Sequence, residues 1–100
     1  MNEFLANIVC EEQDADSIRE YSRKYFRQLR LRCRTERTYP TSAWNTPAIG
    51  APIWVYVTVS VPKDQVLSST ALHKIADQFV NSLKDNFQSF QDFAIDFGPE

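Results

Sequence analysis

Three arginines, Arg30, Arg32 and Arg34, occupy every second position at the start of RLRCRTERTY, residues 30–39. A spacing of two sets side chains on one face of a β-strand. A guanidinium is a permanent cation with a planar fork of donors. A row of them suits the recognition of carboxylates or phosphates rather than proton transfer. Two rings can share that face. In IWVYVTVSV, residues 53–61, Trp54 and Tyr56 alternate with Ile53, Val55 and Val57. Arginine beside indole or phenol gains cation–π contact, and Trp, Tyr and Arg dominate protein-binding hot spots. A third ring, Trp44, lies in YPTSAWNTPAIGAP, residues 39–52, where three prolines and one glycine bar regular structure. A loop of that length in a small domain is expected to serve a function, and its prolines reduce the entropy lost on recognition. The predicted contact set is therefore Arg30, Arg32, Arg34, Trp44, Trp54 and Tyr56.

The other reactive side chains are poorly placed for catalysis. With only Gly50 and Gly98, the chain cannot build a glycine-rich phosphate cradle. Cys10 and Cys33 form no CxxC pair, and His73 is the single histidine, so a four-ligand zinc site is not expected. The two cysteines are read as reduced thiols. Glu11, Glu12, Asp14 and Asp16 fail calcium-loop spacing, because Ile18 stands where a ligand is needed and no glycine follows. No serine, cysteine or lysine has a base beside it in sequence. The expectation is a protein that is not an enzyme and has neither metal nor cofactor.

Charge is segregated along the chain. Residues 19–37 hold all seven arginines and Lys24 against Glu20 and Glu36, a net +6. The remainder, with three lysines and eleven acids, is −8. This is the pattern of a basic patch on an acidic body. The partner expected is a protein, either an acidic surface or a second copy of the chain. The alternative is single-stranded nucleic acid, with bases stacking on rings and phosphates meeting guanidinium groups. Against that alternative, IWVYVTVSV lacks the glycine and basic residues that RNA-recognition modules carry on their third strand, and the whole chain is acidic. Glu3 and the lack of an early cation make the N-terminus a poor secretory leader. The longest apolar run, Ile53 to Val57, is too short to cross a bilayer. A cytoplasmic protein with no membrane partner is expected, in the style of an inhibitor, immunity protein or accessory regulator.

The elements that must position these residues follow from periodicity. Phe4, Ala6, Ile8 and Cys10 alternate as on a strand over 3–10, although Phe4, Leu5, Ile8 and Val9 also fit a helix. Ser17 and Glu20 form a capping-box pattern, and Ile18, Tyr21, Tyr25, Phe26 and Leu29 recur at helical spacing, predicting a helix over about 16–28. Arg19, Arg23 and Arg27 line its solvated side. A strand over about 29–38 follows, with Leu29, Leu31 and Cys33 inward and the three arginines outward. The clearest strand spans 53–61 and ends at Pro62. Ser68 can cap a second helix with an apolar stripe from Leu72 to Phe90, and FAIDF, residues 93–97, alternates as a last strand. One domain over 1–100 with the order β-α-β-β-α-β predicts an α+β, ferredoxin-like fold. Its four-stranded antiparallel sheet would have strand order 4-1-3-2, with both helices on one face. A helical N-terminus would instead leave a three-stranded sheet.

Overall fold

The computed structural model describes residues 3–38, 52–87, 90 and 92–97. Along the chain run β1 (Glu3–Glu11), α1 (Glu12–Gln28), β2 (Arg32–Thr38), β3 (Pro52–Ser60), α2 (Ser69–Asn86) and β4 (Asp92–Phe97). The strands form one antiparallel sheet in the order β2-β3-β1-β4, the ferredoxin-like arrangement. The N-terminal segment is a strand at the centre of the sheet, which excludes the three-stranded alternative. No helix among the described residues is long and apolar enough to cross a membrane.

The core lies between the sheet and the helices. Phe4, Ala6, Ile8 and Cys10 of β1 and Ile53, Val55, Val57 and Val59 of β3 are buried on one side, at alternate positions. Against them pack Ala15, Ile18 and Phe26 of α1 and Leu72, Ala76, Phe79, Val80 and Leu83 of α2. Each fully buried large side chain in this set adds roughly 1.5–3 kcal/mol of transfer free energy. Phe26 is central: it meets Phe79 at 4.6 Å, Tyr25 at 5.1 Å and Phe4 at 5.9 Å between ring centroids. Tyr21 of α1 joins hydroxyls with Ser82 of α2 and ties the two helices together.

Helix ends depart from the sequence expectation in three places. First, α1 begins at Glu12, four residues early, and Ser17 is exposed inside it. Here β1 runs directly into the helix, so the acids Glu12 and Asp14 occupy its first turn, where the positive end of the helix dipole favours them. The Ser17–Glu20 capping pattern goes unused; Glu20 pairs instead with Lys24 at 3.2 Å. Second, α2 ends at Asn86 rather than near 90. Ser68 does cap its start, accepting from the Ala71 N–H at 3.1 Å.

The third departure alters the arginine row. At the end of α1, the Arg30 N–H bonds to the Arg27 carbonyl and the Leu31 N–H to the Phe26 carbonyl, while Arg30 has φ 60°. That is a Schellman motif, in which a left-handed residue closes the helix. Leu31 then joins the core that holds Phe26, the apolar contact that accompanies such ends. Leu29 remains at the helix terminus, 43% exposed, and does not point into the core as predicted. Strand β2 begins only at Arg32.

Candidate functional site

Strand pairing fixes which side chains share the helix-free face. Alternation across the registered strands gives three rows, each read β2-β3-β1-β4. They are Arg34–Thr58–Leu5–Asp96, Glu36–Tyr56–Asn7–Ala94 and Thr38–Trp54–Val9–Asp92. Beyond the first of these, Arg32 pairs with Ser60, and Ser60 with Glu3. The predicted residues Arg32, Arg34, Trp54 and Tyr56 are thus brought together on one surface. Arg30 is not among them on β2: it sits in the turn, and its carbonyl accepts from Gln65 Nε2 at 3.2 Å. Trp44 and the 39–51 loop lie outside the described residues.

The rings are half-buried rather than projecting freely. Trp54 and Tyr56 lie edge to face, 6.3 Å between centroids and 87° between planes. A shallow depression of about 340 Å³ is lined by Leu5, Arg34, Glu36, Tyr56 and Thr58. Among the described residues, the side chains of Arg32 and Arg34 make no hydrogen bond or ion pair; the ion pairs lie on the α1 side. At the centre of the face, Asn7 Oδ1 is buried and has no hydrogen-bond partner among the described residues. A buried carbonyl oxygen without a donor costs about 1–3 kcal/mol. The two exposed cations are groups that a docked surface could satisfy, whereas Asn7 Oδ1 is sealed within the chain.

Two features lie outside the sequence expectation. Asp92 and Asp96 make the β4 edge of the face acidic, opposite the β2 edge with Arg32, Arg34 and Glu36. Their parity against Phe93, Ile95 and Phe97 is the signal that could have found them. The second feature is a clamp on the covered side of β2. Arg19 Nε and Arg23 Nη1 both donate to Thr35 Oγ1, at 3.2 and 3.1 Å, and Arg19 Nη2 donates to the Thr35 carbonyl at 3.4 Å. Asp16 holds Arg19 at 3.3 Å and Arg37 at 3.5 Å. Arg23 stays exposed as expected and Arg19 is partly buried, and both also help satisfy an edge strand that would otherwise invite pairing with another chain. Only the spatial proximity of α1 to β2 brings them together, and no spacing in the sequence announces it.

Burial pushes the Cys10 thiol up from 9.0 to about 11, with Asp14 and Glu11 adding to the effect. Burial also raises Cys33 to about 11, outweighing the Arg23 guanidinium, which acts the other way. Thiols with such values are protonated at neutral pH and are poor nucleophiles. His73 is exposed on α2 and stacks on Phe97, with 3.7 Å between ring centroids. No group of three His, Cys, Asp or Glu among the described residues is arranged to hold a metal ion.

No known protein-family model matches the chain, and no curated protein sequence matches it.

Proposed function

We propose that this chain is a small interaction protein, not an enzyme, which docks through its open sheet face. The partner is an acidic protein surface or a second copy of the chain. Arg32 and Arg34 supply charge, and Trp54 and Tyr56 supply the apolar contact area. The supporting observation is the company these residues keep. Two half-buried rings and two guanidinium groups without counter-ions, among the described residues, share this face, and Arg34 lines one depression with Tyr56. Arg30 contributes at most from the neighbouring turn, and Trp44 is assigned as a loop contact on sequence grounds. Single-stranded nucleic acid is the second reading, favoured by rings and arginines on one face. Glu36, Asp92 and Asp96 on that same face oppose a phosphate backbone.

The experiment is affinity capture from the native lysate, with and without nuclease, comparing the natural chain with Trp54→Ala/Tyr56→Ala. Docking through this face requires that the double variant lose the captured protein while keeping its circular dichroism spectrum. Capture that the variant retains would remove the face from the function. Capture that disappears with nuclease, together with oligonucleotide binding that weakens steeply as salt rises, would establish the nucleic-acid reading instead.

A further inference from the structure

On the open face the β2 edge carries Arg32, Arg34 and Glu36 and the β4 edge Asp92 and Asp96, with Arg34 and Asp96 at matching height. Arg34 on β2 and Asp96 on β4 stand in the same row, with Thr58 and Leu5 between them. Arg32 and Glu3 stand in the neighbouring row. A uniformly acidic partner would meet Arg32 and Arg34 but be repelled by Glu3, Asp92 and Asp96. A surface with the opposite charge order would meet both edges favourably, and the chain itself carries such a surface. Rotating a second copy by a half-turn about an axis parallel to the strands lays its open face on the first and reverses the strand order. Then β2 lies over β4 of the second copy, and β3 over β1.

We propose that the occupant of the open face is a second copy of this chain in that twofold arrangement. The proposal rests on the docking reading above and names its partner. In each half of the dimer, Arg34 faces Asp96 of the second copy. Tyr56 faces the Asn7 row of the second copy, and its half-buried ring adds apolar contact there. Trp54 covers Val9 of the second copy. Strands of nine, seven, nine and six residues give a face of roughly 500 Å² in plan. That is below the roughly 800 Å² per partner of a standard interface. The dimer is accordingly concentration-dependent rather than obligate.

Sedimentation equilibrium tests this with charge reversals at exposed positions, each checked for fold by circular dichroism. Arg34→Glu alone and Asp96→Arg alone each place like charges opposite one another, and each should weaken dimerisation by roughly tenfold or more. Mixing the two variants sets the carboxylate introduced by Arg34→Glu against the guanidinium introduced by Asp96→Arg. The other pair keeps its natural residues, so the mixture should form a heterodimer of restored affinity. The doubly reversed chain should likewise regain self-association. A natural chain that stays monomeric up to about millimolar concentration overturns the proposal. So does a mixture that remains monomeric, or variants that dimerise like the natural chain. None of these outcomes touches the docking reading itself, which falls only if capture ignores Trp54→Ala/Tyr56→Ala.

Discussion

The two faces of the sheet are built from the same strands and do different work. On β3, Val55, Val57 and Val59 have no exposed surface, while their neighbours Trp54, Tyr56 and Thr58 are half-buried on the opposite side. On β1 the same alternation sets Ala6 and Ile8 in the core and Leu5, Asn7 and Val9 outside it. The covered face has close-packed aromatic neighbours and little freedom to change. The open face carries, among the described residues, two exposed arginines without counter-ions and one buried unmet acceptor. On the proposed docking reading, stability and binding are carried by residues of opposite parity along one strand, and substitutions can separate them.

The largest expected effect lies on the covered side. Phe26→Ala removes a fully buried ring that touches Phe4, Tyr25 and Phe79, and should cost about 3–5 kcal/mol in urea unfolding. Tyr56→Ala on the open face should cost less than about 1.5 kcal/mol, since its ring is only half-buried. If the two losses prove equal, the open face is part of the core and the division between the faces is wrong.

A smaller effect, of opposite sign, is expected where the faces are joined. Arg30 closes α1 at φ 60°, a region that costs a residue with a Cβ roughly 1 kcal/mol and costs glycine little. Arg30→Gly should therefore raise unfolding stability by up to about 1 kcal/mol while leaving capture or dimerisation intact. Loss of binding in that variant would return Arg30 to the contact surface from which the turn separates it.

That turn also shows where the sequence can be read and where it cannot. The valine alternation of β3, the stripe of α2 and the Ser68 cap depend on local periodicity, and they lead to the observed strand order. The arginine row has the same local periodicity, but periodicity alone carries the strand about three residues too far toward the N-terminus. Glycine ordinarily marks a Schellman ending, and here an arginine takes its place. The grouping of Trp54, Tyr56, Arg32 and Arg34 holds, because alternation and strand adjacency alone determine it. The Thr35 clamp depends on tertiary placement of α1 against β2, which no periodicity encodes. The acidic β4 edge is within reach of sequence reasoning, because alternation in DFAIDF sets Asp92 and Asp96 opposite the three residues that face the helices.

The smallest expected change in stability lies on the open face. Asn7 sits at the centre of the open face with its amide oxygen buried and unpaired among the described residues. Replacing it with a side chain of similar size and no polar atom, Asn7→Leu, removes that unmet group. Unfolding stability should rise by about 0.5–1 kcal/mol, because no hydrogen bond is lost. Dimerisation should change little in the same variant, because the oxygen removed has no surface for a second copy to reach. If Asn7→Leu instead destabilises the monomer by about 1 kcal/mol or more, the amide is bonded within its own chain. The open face would then have no unmet group at its centre.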